Sequence, residues 1–192
     1  MALNLASREL GCFVADCTSA CDGCAPDNAL TDDADRVWLS AEGKAMCAPT
    51  PRAGAALPVA SPLPKSSRGR PPQSITLDLN ELSRAQPSAV IHTAGVYCWH
   101  GYSSNPKAVA IFASKNGDGT VDEAGGADAD GTTASVLAKS EAGFKLAGRA
   151  VLNGKPTAGL LLFALDRPIQ MSETRFVRFI FEETFGGDQV YV

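Results

Sequence analysis

The sequence predicts an all-β chain folded as an antiparallel β-sandwich of about eight strands, and three observations lead there. Ser74-Ile-Thr-Leu-Asp-Leu-Asn80 sets Ile75, Leu77 and Leu79 against Thr76 and Asp78, the period-two pattern of a half-buried strand. Eighteen glycines and twelve prolines among 192 residues exceed the usual share, which favours short strands and turns over long helices. The apolar runs are separated by turn chemistry: Ser104-Asn-Pro106, Asn116-Gly-Asp-Gly119, Asn153-Gly154 and Gly186-Gly-Asp188.

The strands follow in order. After Ser74–Asn80 come Ala89–Trp99, Ala108–Ala113, Gly159–Leu165, Arg175–Glu182 and Gln189–Val192. In Arg175-Phe-Val-Arg-Phe-Ile-Phe-Glu182, Val177, Phe179 and Phe181 share one face, and Phe176, Arg178, Ile180 and Glu182 the other. A strand apolar on one face and mixed on the other implies a sheet with one wet side. The closing strand Gln189–Val192 is short: either it belongs to a longer product, or, if the chain ends there, it is expected to be completed by a partner through strand addition.

Two segments interrupt the rhythm of a single domain spanning residues 1–192. Ala48–Pro72 holds seven of the twelve prolines together with Arg52, Lys65, Arg68 and Arg70, and reads as a long mobile basic loop (48–72). Residues 117–131 alternate Asp118, Asp122, Glu123, Asp128 and Asp130 with Gly and Ala, an acidic loop. Read as an EF-hand from Ser114, that loop lacks the first Asp and the closing bidentate Glu, since Gly125 stands in the last position. A looser calcium site at Asp118 and Asp122 stays open as an alternative, because oxygen-rich loops bind calcium in other geometries.

Seventeen Lys and Arg against twenty-one Asp and Glu leave a net charge of -4, which excludes a whole-surface basic field for nucleic acid or an acidic membrane. Arg68-Gly-Arg-Pro71 matches the core of a minor-groove hook but lacks flanking basic residues. No basic-then-apolar leader and no apolar run of about 18 residues occurs, so the expectation is a soluble, cytoplasmic protein with no membrane partner and its six cysteines reduced. Cys21-Asp-Gly-Cys24 is one zinc-type pair where a structural site wants two, and His92 and His100 are distant, so no firm metal or cofactor site is read. No nucleophile elbow, Walker loop, GxGxxG or HExxH is present, and the chain reads as a non-enzyme.

Four ordered blocks carry a family resemblance. Ala25-Pro-Asp-Asn-Ala-Leu-Thr-Asp-Asp-Ala-Asp-Arg-Val-Trp-Leu-Ser40 resembles the opening of discoidin, or coagulation factor 5/8 type C, domains, which reads P-E-N-A-L-D-G-D-x-x-T-x-W-x-S. Ser74–Leu79 is similar to their x-I-x-L-D-L strand, and Asn105–Gly119 to their P-K-x-V-x-I-x-x-S-x-D-G strand and turn. Arg175–Val192 resembles their last two strands. The resemblance implies a galactose-binding-like jelly roll, with Trp38 plugging one end and Asn28, Asp32 and Asp35 organising a turn. The disulfide that closes extracellular members is missing a partner, since Cys12 has no cysteine near Val192. The pattern is closer to intracellular members such as the small jelly-roll subunit of intraflagellar transport complexes and the Doc subunit of the anaphase-promoting complex.

The expected function is therefore a protein-binding scaffold subunit of an intracellular assembly, its ciliary or microtubule setting resting on the resemblance alone. Trp99, His100, Tyr102 and Asn105 in one turn region, and Phe185, Gly186, Gly187 and Asp188 in another, are the expected partner contacts, because rigid aromatics beside glycine turns anchor interfaces. The alternative is a carbohydrate- or lipid-binding module, for which Trp99, His100 and Tyr102 supply an aromatic platform with polar neighbours. A weaker alternative is tethering of AT-rich DNA by Arg68–Pro71.

Overall fold

A computed structural model describes residues 5–18, 20, 23–31, 38, 40, 72–116, 143–154 and 156–192. The acidic loop 117–131 with Asp118 and Asp122, the basic loop up to Pro71 with Arg68 and Arg70, and Asp32, Asp35, Cys21 and Cys47 lie outside the described residues.

Seven strands occur among the described residues: β1 (Phe13–Cys17), β2 (Gln73–Asp78), β3 (Val90–Cys98), β4 (Pro106–Ser114), β5 (Lys145–Val151), β6 (Gly159–Gln170) and β7 (Phe176–Thr184). A six-residue helix, α1 (Asn80–Ala85), follows β2. The strands form a five-stranded sheet in the order β1-β2-β7-β4-β5 and a two-stranded ribbon β3-β6, antiparallel throughout. No helix among the described residues is long and apolar enough to cross a membrane.

The core lies between the layers. Ile75 and Leu77 of β2, Val109 and Ile111 of β4, and Val177 and Phe181 of β7 meet Val96, Cys98, Leu165 and Ile169 of the ribbon. Trp38 is fully buried against Phe181, ring centroids 5.6 Å apart. The backbone of Trp38 exchanges two hydrogen bonds with Val192 (2.8 and 3.0 Å), and Ser40 N–H donates to Val190 O (3.0 Å). Gln189–Val192 is thus paired within the chain rather than offered to a partner strand, because Trp38 and Ser40 occupy its edge.

The wet face expected for β7 is covered. Phe176, Arg178 and Ile180 are buried with Phe112, Phe144, Ala15 and Ala110 in a second apolar cluster on the outer side of the five-stranded sheet. Phe144 lies 4.2 Å beneath the Arg178 guanidinium, whose Nε donates to Thr76 Oγ1 (2.9 Å). A ring face, a hydroxyl and the Asp16 carboxyl, near enough to feel it, receive the charge in place of water.

β6 runs past the expected end at Leu165 to Gln170. Its pairing breaks between Ala164, opposite Thr93, and Ile169, opposite Ile91. Pro168, which lacks an N–H, falls inside that irregularity, where no ladder bond is lost. At the far end of β2, the nearly inaccessible Asp78 carboxylate accepts from Arg175 Nη2 (2.7 Å) and Asn80 N–H (2.8 Å), tying β2, α1 and the start of β7 together.

Candidate functional site at the sandwich rim

β3 ends at Cys98 and β4 begins at Pro106, and the loop between them is closed on itself by one side chain. Asn105 is fully buried; its Oδ1 accepts from Trp99 N–H (2.9 Å) and its Nδ2 donates to Trp99 O (2.5 Å). An amide has a donor and an acceptor that imitate a strand partner, and Asn105 uses both on one residue. Asn105 is accordingly a clamp within the fold and not a contact residue, since no part of it reaches solvent.

The segment after β7 lies against this loop. Phe185 N–H donates to Asn105 O (3.3 Å), Gly187 N–H to Ser103 O (3.0 Å) and Tyr191 N–H to Ser104 O (3.0 Å). Thr184 Oγ1 bonds Gly187 O (2.6 Å) and holds the turn. Gly187 is required by close approach: a β-carbon there would stand 2.7 Å from Ser104 Cα and 2.8 Å from Ser104 N. The two turn regions that the sequence offers separately are therefore one surface.

Four aromatic rings are strung across it. Tyr102 contacts Tyr191 (centroids 5.3 Å), Tyr191 meets Trp99 edge-on (5.6 Å, 81°), and Trp99 meets Tyr97 (5.2 Å, 65°). Edge-to-face contact puts ring hydrogens on a negative face and fixes each ring's orientation. The two outer rings face solvent, Tyr102 at 54% and Tyr97 at 38% exposure, while Trp99 and Tyr191 are half-buried supports. His100, Gly101, Gly186 and Asp188 are exposed around them, and Phe185 is half-buried.

Two polar groups sit inside this apolar frame. Burial, with smaller contributions from Tyr102 and Cys24, pushes the Tyr191 hydroxyl pKa up, so it stays protonated at neutral pH. The Trp99 indole Nε1–H is buried and has no hydrogen-bond partner among the described residues. An indole N–H is a donor only, and left unpaired it costs about 1–3 kcal/mol.

Sequence reasoning missed Tyr97 and Tyr191. The first is legible from strand alternation, which turns Tyr97 outward between buried Val96 and Cys98. The second depends on how the chain's end returns to the β3–β4 loop, a long-range packing that no local pattern encodes. Asn28 lies in a 3₁₀ turn, Pro26–Leu30, whose Asp27 accepts from Val14 N–H (3.4 Å) and pairs with Arg8 (2.7 Å). Among the described residues no group of three or more His, Cys, Asp or Glu side chains is placed to hold a metal ion.

No protein-family model matches the sequence, and no curated protein matches it. Solved structures do. A family 32 carbohydrate-binding module from C. perfringens, in complex with galactose, superposes with a TM-score of 0.51 at 10% identity over 94% of this chain and 87% of its own. A chitosan-binding module of a chitosanase/glucanase from Paenibacillus sp. IK-5 gives 0.51 at 13% identity over 99% and 93%. The C-terminal domain of a chitobiase from Bacteroides fragilis gives 0.51 at 13% over 94% and 87%. At such identities the likeness is one of fold. The blocks shared with discoidin domains and these superpositions agree: the chain has the discoidin-type, galactose-binding-like jelly-roll fold.

Proposed function

We propose that this protein is a non-catalytic carbohydrate-binding module whose ligand site is the rim built from Tyr102, Tyr191, Trp99 and His100. The observation that carries the reading is an exposed tyrosine face, Tyr102, backed by two further rings on a loop clamped shut by Asn105. The apolar C–H face of a sugar ring stacks on such a surface, and nearby donors and acceptors take its hydroxyls. Exposed His100, next to Trp99 in the chain, and the protonated Tyr191 hydroxyl are the polar groups that the rim supplies for sugar hydroxyls. A preformed loop loses little conformational freedom on binding, which lets weak stacking yield net affinity.

Neighbours of the same fold that were solved with galactose, or that bind chitosan, support the carbohydrate reading over the intracellular scaffold suggested by the sequence blocks. The test uses both tryptophans. In a Trp38→Phe background, emission comes from Trp99 alone. Titration with galactose and with glucosamine oligomers is expected to shift that emission, and Tyr102→Ala to weaken binding at least tenfold, about 1.4 kcal/mol. A glycan array without hits and an unmoved Trp99 emission overturn the proposal.

A further inference from the structure

The ribbon β3-β6 has an outer face that is not what an antiparallel sheet ordinarily shows to water. Its register sets Thr93 opposite Ala164, Gly95 opposite Leu162 and Tyr97 opposite Leu160 on the outside, and Val96 opposite Leu161 on the inside. The inner residues enter the core. On the outer positions, where alternation calls for polar side chains, stand Leu160 and Leu162, 60% and 62% exposed. Single exposed leucines mean little, but two in register beside an exposed tyrosine form a contiguous apolar patch.

The patch has a defined shape because of Gly95. A β-carbon there would meet Leu162 Cδ2 at 2.7 Å, Leu161 O at 3.0 Å and Leu160 Cδ1 at 3.2 Å, so both leucines lie flat over the glycine backbone. They lie beside Tyr97, which pairs opposite Leu160, and Tyr97 in turn touches Trp99 of the rim at 5.2 Å. A series of ring contacts therefore links exposed Tyr102, through half-buried Tyr191 and Trp99, to exposed Tyr97, which stands opposite Leu160. Three ring-to-ring contacts, each between 5.2 and 5.6 Å, join Tyr102 to Tyr97, the two exposed rings of the series.

We infer that the outer face of β3-β6 is a second subsite, and that the ligand is an oligosaccharide of three or more rings, not a single terminal sugar. One ring stacks at Tyr102, and the chain continues over Tyr97 onto Leu160 and Leu162. This rests on the rim reading, since continuity with the rim is what assigns the face its occupant. Aliphatic floors contact the C–H edges of a sugar without setting its rotation about the chain axis. The second subsite thus adds affinity for length with little demand on which hydroxyls are axial.

The test compares galactose with β-linked galactose oligomers, and glucosamine with its oligomers, from one to six rings, by calorimetry on the unmodified chain and on a Leu160→Ser, Leu162→Ser double variant. Both leucines are exposed, so the variant keeps its fold. In the unmodified chain affinity is expected to rise at least tenfold between one ring and four, then level off. In the variant that rise is expected to vanish while the single-ring affinity stays within twofold. Equal affinity at every length overturns the second subsite and leaves the rim reading standing, as does a length dependence that survives in the variant. No binding of any probe overturns both.

Discussion

Asn105 shows how much of a surface can depend on one buried side chain. Its amide supplies both bonds that close the Trp99–Asn105 loop, and its carbonyl receives Phe185. Asn105→Ala leaves the Trp99 N–H without its partner and the Trp99 C=O with only a long bond from Tyr102 N–H (3.4 Å), which costs about 1–3 kcal/mol. Asn105→Asp keeps the acceptor but sets a carboxylate against the Trp99 carbonyl, and is expected to be at least as costly. Urea unfolding with near-UV circular dichroism reads both the stability and the ring packing; unchanged midpoints in both variants would show that the clamp is dispensable. A half-buried residue sets a pH response. Burial raises the Asp16 carboxyl above its ordinary 3.8, against smaller opposing effects from Arg178 and the Cys17 backbone. The folded chain then binds that proton more tightly than the unfolded one, so this group's contribution is favourable in acid and is lost as pH rises from about 3.8 through the raised value. Asp16→Asn should gain thermal stability relative to the parent at pH 7 and not at pH 3, and an equal change at both pH values would refute the assignment.

The elements differ in how openly the sequence declares them. β2, β4 and β7 are rich in large apolar residues, Ile and Leu in β2, Val, Ile and Phe in β4 and β7, and are readable from the sequence, because a strand in the middle of a sheet must satisfy two faces. β1, Phe13-Val-Ala-Asp-Cys17, is short and mixed, and β5, Lys145-Leu-Ala-Gly-Arg-Ala-Val151, has apolar spacing that fits either period. Both are edge strands, where neighbours on one side only decide the conformation and local pattern is weakest. The rim follows the same logic: Trp99, Tyr102 and His100 stand out as aromatic and polar residues among turns, whereas Tyr191 joins them only because the segment after β7 returns to the β3–β4 loop. Gly187 is the point where that return is tightest. Gly187→Ala forces its β-carbon against the Ser104 backbone and is expected to cost about 1–3 kcal/mol. The larger effect is local: Tyr191 withdraws from Tyr102 and Trp99, and sugar binding falls with it. An alanine variant with parental Trp99 emission and ligand affinity would show that the two segments do not act as one element.

At the scale of the whole molecule the question is whether ribbon and sheet open together, and the buried thiols report on it. Cys12 precedes β1 at the edge of the five-stranded sheet, and Cys98 ends β3 in the ribbon; both are free and buried. Burial, followed by the charges of Asp78 and Asp27, pushes the Cys12 thiol up to about 12 from 9.0, and burial alone pushes Cys98 to about 11. The thiolate is the reactive form, so in the folded chain both groups are protected twice, by access and by protonation. At pH 8 a thiol reagent is expected, among the described cysteines, to modify half-buried Cys24 first, and Cys12 and Cys98 only when the chain unfolds. Because the folded state holds these two protons more tightly, their contribution to stability is intact below pH 9 and falls as pH rises from there toward 12. Residue-resolved mass spectrometry then separates two cases. If the core between the layers makes one cooperative unit, Cys12 and Cys98 label at a single rate that climbs with alkalinity, as the shared cluster of Val96, Cys98, Leu77 and Phe181 requires. If Cys98 labels much faster than Cys12, the ribbon opens on its own, and the face that carries Tyr97, Leu160 and Leu162 is a mobile surface instead of the rigid floor that length-dependent sugar binding needs.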